Sequence, residues 1–234
     1  MIYYDAETEE EETIQEESEK SRNELEETGE ISVKNSKHKI HVLSIIGQIE
    51  GHTLLPPQSK TTKYEHVIPQ LAAVERDVDI EGLLILLNTI GGDVEAGLAI
   101  AEMISNLSKP TVSLVLGGGH SIGVPLATAA KYSFIASSAT MTIHPIRMNG
   151  VVIGASPTYE YFNRIQEQVV SFITKNSKIS KAELKKLMLD TSEIANDVGT
   201  ILYGAEAVEK GLINEIGGIS HAMEKLYDMI ENEA

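Results

Sequence analysis

Apolar and polar positions change period repeatedly along this 234-residue chain, and each change marks an element. His41 to Ile46 reads as a strand. A polar stretch from Leu55 to Thr62, carrying Pro56 and Pro57, breaks regular structure. Val67, Ile68, Leu71 and Val74 then recur at helical spacing and predict a helix from Tyr64 to Val74, with Pro69 predicting a kink or a later start. Leu83 to Leu87 is apolar without alternation, as in a central strand of a parallel sheet covered on both faces. It runs into Asn88-Thr89-Ile90-Gly91-Gly92-Asp93, after which Leu98, Ala101 and Ile104 predict a helix from Val94 to Asn106. A strand from Val112 to Leu116 leads through Gly119-His120-Ser121-Ile122-Gly123 into a helical stretch, Val124 to Ala130. Short strands are expected at Tyr132–Ala136 and Thr140–His144. A long helix follows from Thr158 to Asn176, with Tyr159, Phe162, Ile165, Val169 and Phe172 on its apolar stripe. Ser180 and Glu183 fit a capping box opening a helix through Leu189. A short helix from Ala205 to Lys210, a strand from Leu212 to Ile216 and a last helix from Ser220 to Asn232 complete the chain. Strand and helix in the order βαβαβαββ imply an α/β domain with right-handed crossovers.

The charge is uneven. The net charge is −16, and positions 1–30 carry thirteen acidic and two basic residues. Glu9 to Glu12 and Glu16-Glu17 repel one another with little apolar surface between them, so residues 1–36 are expected to be a disordered acidic tail. Residues 37–234 form the folded domain, which is only mildly acidic and has no broad basic patch. Nucleic acid is therefore not an expected partner. The chain has no cysteine, which excludes disulfides and thiolate metal sites. No apolar run approaches the roughly 20 residues needed to span a bilayer, and Met1 to Asp5 do not begin a signal peptide; a cytoplasmic location is expected.

Ser121 carries the sharpest chemical signal. A serine between glycines at a strand-to-helix turn is exposed where a nucleophile must be. Gly91-Gly92 ends the neighbouring strand, so the amides of Gly92 and Ile122 are candidates to hold an oxyanion beside it. His144 ends another strand at the same rim and is the candidate base. His120 is given a structural role, because neighbours along an extended turn point apart. His38, His41, His52, His66 and His221 have no companion motif. No pair has metal-ligand spacing, and neither a metal nor another cofactor is expected.

Four segments occur together in the order found in ClpP-type serine peptidases: Ile85–Gly92, Gly119–Gly123, Met141–Pro145 and Gly204–Ile213. Over roughly residues 38–225 the chain resembles that family. The resemblance implies the ClpP/crotonase fold, self-association into rings, Ser121 as nucleophile, His144 as base, and Gly92 and Ile122 as the oxyanion hole. It also implies that the long helix is a protruding handle joining subunits. The expected substrate is a peptide or unfolded polypeptide, with a link to protein translocation and secretion. The pattern departs from the family at Gly199, where an aspartate is usual. Asp197 is the expected third member if the chain shifts locally; otherwise Ser121 and His144 act as a dyad. His120 replaces the usual alanine, Thr89-Ile90 replaces Ser-Pro, and Pro56-Pro57 lies in an additional loop. The acidic tail stands where the family has a short pore segment, so docking of an ATPase partner does not carry over. A catalytically weak or inactive scaffold or chaperone ring, and a crotonase-type acyl-CoA enzyme, are the alternative expectations.

Overall fold

The computed structural model describes residues 37–147, 154–192 and 198–233. The expected acidic tail therefore lies outside the described residues, and so does Asp197. The architecture is a parallel sheet with helices on both faces. Strands β1 (Ile40–Glu50), β2 (Thr61–Lys63), β3 (Gly82–Gly92), β4 (Thr111–Gly119), β5 (Tyr132–Ile135) and β8 (Glu215–Ile216) lie in the order β2-β1-β3-β4-β5-β8. Strand β6 (Thr140–Ile143) pairs in parallel with β4 through Gly118 and Thr140, and antiparallel with β7 (Thr200–Tyr203).

The unbroken apolar run of β3 serves both layers. Leu83, Ile85 and Leu87 enter the larger core cluster, while Leu84 enters a smaller one on the opposite face. Helices α1 (Tyr64–Arg76), α2 (Val94–Ser105) and α3 (Gly123–Thr128) supply the larger cluster with Val67, Leu71, Ile100, Ile104 and Leu126. Helix α7 (Ile219–Glu233) covers the other face with Ala222, Leu226 and Ile230. Burying a Leu or Ile side chain contributes about 1.5–3 kcal/mol, so a strand buried on both faces anchors the whole sheet.

Helix α1 runs through Pro69. The proline forfeits one backbone bond, but Val67, Leu71 and Val74 are buried on the same helix face and hold the segment helical. Asp93 caps α2 by accepting from Ala96 N–H at 2.9 Å. The long helix α4 (Ala155–Lys175) buries Val169, Val170, Phe172 and Ile173 in its second half, while its first half leaves Tyr159 and Tyr161 exposed. Ser180 caps α5 (Lys181–Met188), accepting from Glu183 N–H at 3.2 Å. Helix α6 spans Gly204–Glu209.

The start of the described chain is fastened to its end. His38 bridges Glu81 at 3.1 Å and Glu231 at 3.4 Å, and Lys37 pairs with Glu231. The Glu81 hydrogen bond raises the His38 imidazole above its ordinary value of 6.5, against the opposing effect of burial. The bonds from His38 and from Lys39 N–H hold Glu81 below its ordinary 4.5, and Lys37, then His38, do the same for Glu231. A raised histidine stabilises the fold fully below about pH 6.5 and loses that contribution as pH rises through its folded value. Lowered carboxylates stabilise above about pH 4.5 and lose that contribution as pH falls through their folded values. The cluster therefore contributes most between those limits. Melting curves of His38→Gln against the parent should differ most between about pH 4.5 and 6.5 and converge as pH rises through the raised value of the folded imidazole.

Candidate active site

Three strand ends deliver the site, and backbone hydrogen bonds join them. His120 N–H donates to Thr89 O at 3.1 Å, tying the turn after β4 to β3. Ser121 N–H donates to Thr142 O at 2.8 Å, tying the same turn to β6. Gly123 N–H to His120 O and Val124 N–H to Ser121 O, at 2.8 and 3.0 Å, then start α3. These bonds hold Ser121 at φ 57°, a left-handed conformation that costs a non-glycine residue about 1–3 kcal/mol.

Gly91 allows the close approach of β3 to this turn. A Cβ at Gly91 would lie 2.7 Å from Ser121 Cβ and 2.8 Å from His120 O, and its φ is +90°. Thr89 organises the same corner. Its hydroxyl donates to Gly47 O at 2.6 Å and accepts from Gly91 N–H at 3.0 Å. The Gly91 amide is thereby spent. Asp93 N–H donates to Ile49 O of β1 at 3.0 Å, fixing the backbone just after Gly92, which lines the same cavity as Ser121. Ile122 occupies the N-cap of α3, where an N–H has no intrahelical acceptor.

Ser121, His144, Gly92 and Ile122 line one cavity of about 170 Å³. These four residues come from three separate segments of the sequence, and the fold brings them to one wall. Val124, Ile146, Val169, Ile173 and Met188 make the rest of that wall largely apolar. Arg147 is the one other charged or titratable side chain among the described lining residues, and its Nη2 approaches Val198 O at 3.5 Å.

His144 is held by the chain itself. Its Nδ1 lies 2.6 Å from Pro145 O, the geometry of an Nδ1–H donor with Nε2 left as acceptor. Gly199 packs against the base of the His144 side chain at φ +120°. A Cβ there would stand 2.4 Å from Ile143 O and 2.7 Å from His144 Cβ. Gly199 N–H donates to Asp190 O at 2.7 Å, fixing this approach. His120 faces elsewhere: its Nδ1 meets Thr142 Oγ1 at 2.9 Å, and burial pushes the imidazole below its ordinary value. His52 packs edge-on against Tyr64, away from the cavity lining. Among the described residues no three His, Asp or Glu side chains gather as a metal site. Among the described residues no helix is long and apolar enough to cross a membrane.

The Pro145 carbonyl and the Thr89 corner were not singled out from sequence. A hydroxyl two residues before a Gly-Gly pair is the signal of a side-chain turn, and it would have found Thr89. The Pro145 carbonyl leaves no such signal, because every residue carries one.

The model of the Clp protease family matches residues 35–220. The chain belongs to the Clp protease family. It is 62% identical over 194 residues to the translocation-enhancing protein TepA of Halalkalibacterium halodurans, covering 83% of this chain and 76% of that one. It is 26% identical over 167 residues to the ATP-dependent Clp protease proteolytic subunit of Cyanophora paradoxa, covering 64% and 75% respectively. A solved mutant of ClpP1 from Listeria monocytogenes superposes with a TM-score of 0.61 at 22% identity, over 78% of this chain and 94% of that one. The fold is thus that of ClpP, with the sheet, the flanking helices and the long α4 in place. Within this Clp protease frame, Gly91→Ala forces apart the corner that carries Ser121. We expect a loss of about 2–3 kcal/mol of stability in denaturant titration.

Proposed function

We propose that this Clp protease family member is a serine endopeptidase acting on peptides or unfolded polypeptides. The observation that carries this reading is the single cavity lined by Ser121, His144, Gly92 and Ile122. In the proposed reaction Ser121 Oγ attacks the scissile carbonyl carbon and its proton passes to His144 Nε2. The tetrahedral oxyanion accepts hydrogen bonds from the Gly92 and Ile122 amides. The C–N bond then breaks, and the imidazolium returns the proton to the leaving amine. Water, deprotonated by the same imidazole, hydrolyses the acyl-serine and regenerates the hydroxyl. The apolar walls of the cavity lower the local dielectric and strengthen each of these polar contacts.

Self-association into rings is part of the proposal. The exposed aromatic half of α4 supports it, because Tyr159 and Tyr161 leave apolar surface for a neighbouring copy to cover. A role in protein translocation is supported by the name of the relative at 62% identity. A second reading, a ring without peptidase activity, is favoured by one feature: backbone, not a carboxylate side chain, stands at Gly199 beside His144.

A fluorophosphonate probe with intact mass spectrometry separates the two. The endopeptidase reading expects one adduct per chain, mapped to Ser121, and at least a ~10³-fold loss of peptide hydrolysis in Ser121→Ala. An assembled protein, verified by its mass in solution, that takes no label would leave the scaffold reading in place.

A further inference from the structure

We infer that the His120 side chain, through its contact with the Thr142 hydroxyl, clamps the serine turn to the strand that leads to His144 and so sets the nucleophile against its base. This inference rests on the endopeptidase reading and adds a positioning residue to it. Three observations converge on it. His120 Nδ1 meets Thr142 Oγ1 at 2.9 Å. The carbonyl of the same threonine accepts from Ser121 N–H at 2.8 Å, so Thr142 grips two consecutive residues of the turn, one through its side chain and one through its main chain. The ring also has a seat left open for it. A Cβ at Gly118 would lie 2.7 Å from His120 Nε2 and 2.8 Å from its Cδ2, so the imidazole fills the space a side chain would take, at the residue where β4 pairs with Thr140.

The need for a clamp follows from the backbone. Ser121 sits at φ 57°, and a left-handed serine relaxes toward more populated regions unless its neighbours hold it. His120 N–H donates to Thr89 O at 3.1 Å and His120 O accepts from Gly123 N–H at 2.8 Å. With the ring contact added, the residue directly before Ser121 is fixed to β3, to the start of α3 and to β6 at once. The tie to β6 matters most for chemistry, because His144 follows that strand. The Ser121 amide makes one bond to it, and the His120 imidazole makes a second. Burial pushes this imidazole below its ordinary value, so at neutral pH it is an uncharged partner and adds no field at the serine. His120 lies outside the cavity wall and acts on the reaction through the place of Ser121 alone. A shift of about 1 Å between reacting groups is enough to cost on the order of a hundredfold in rate.

The test uses the full assembled chain. Thr142→Val keeps the carbonyl and nearly the same volume but removes the hydroxyl. His120→Leu removes the ring's hydrogen bond, and Gly118→Ala leaves both partners intact while pushing the ring off its seat. Each should lower kcat for a fluorogenic peptide about tenfold with KM within about twofold, and slow fluorophosphonate labelling of Ser121 in step. His120→Leu combined with Thr142→Val should lose no more than the larger single loss, as for two ends of one contact. His120→Asn, whose amide reaches the Nδ1 position, should keep kcat within about threefold of the parent. Unchanged kcat in Thr142→Val, a loss confined to KM, additive losses in the double variant or no recovery with asparagine would each overturn the inference. Where His120→Leu fails to fold, the isosteric Thr142→Val decides the question. Amide hydrogen exchange of the peptide spanning residues 117–123, read by mass spectrometry, needs no turnover. Exchange should quicken in Thr142→Val and Gly118→Ala, and equal exchange in parent and Thr142→Val refutes the clamp. If the parent neither hydrolyses peptide nor takes label while exchange quickens in Thr142→Val, the endopeptidase reading fails and the clamp stands.

Discussion

The hydrogen bond from Ser121 N–H to Thr142 O is the constraint on which the site depends. Strand β4 runs beside β5 as far as Val115, and its glycine-rich end then meets β6 through Gly118 and Thr140. The bond at Ser121 closes that change of partner. Two residues beyond Thr142 stands His144, so one peptide contact sets the relation between the strand ends that carry hydroxyl and imidazole. A single bond of this kind contributes about 1 kcal/mol net. Its larger effect is geometric, since it keeps Ser121 in the left-handed region against its own preference. Because donor and acceptor are both main chain, side-chain substitution on either partner does not remove the pair.

Thr89 extends the same constraint into the body of the sheet. Its carbonyl holds His120, its hydroxyl joins Gly91 to Gly47, and its methyl group would touch any side chain placed at Gly123. One residue therefore fixes the separation of β1, β3 and the turn bearing the serine. The order of elements matters here. The turns that follow β3 and β4 lie side by side because the strands do, and a parallel sheet gathers its loops at one edge.

Much of this was legible from residues alone, for physical reasons that differ between elements. The unalternating Leu83–Leu87 reads as a strand covered twice, and the sheet buries Leu83, Leu84, Ile85 and Leu87 and half-buries Leu86. The glycines around Ser121 marked a turn too sharp for side chains. Strand β2 was hidden because Thr61-Thr62-Lys63 has no apolar pattern; it exists through pairing with Gln48–Glu50. Strand β7 was hidden because four residues, Thr200–Tyr203, give too short a period, and their partner β6 lies some sixty positions away. Pro69 misled in the other direction, since the local penalty of a proline says nothing of the buried face that outweighs it. The site was legible in its side chains and illegible in its carbonyls. Ser121 and His144 announce themselves by type, whereas the acceptor at Pro145 and the close packing at Gly199 exist only once the chain has folded.

The fastening of Lys37 and His38 to Glu231 has a practical geometric consequence. Ile40 pairs with Gly82 at the beginning of β3, and Gly92 ends the same strand about 33 Å further on. Both extremities of the described chain thus emerge from the pole opposite the cleft. A fluorophore or a surface tether attached at Lys37 or Glu231 themselves would sit at that shared pole, far from the mouth around Ser121.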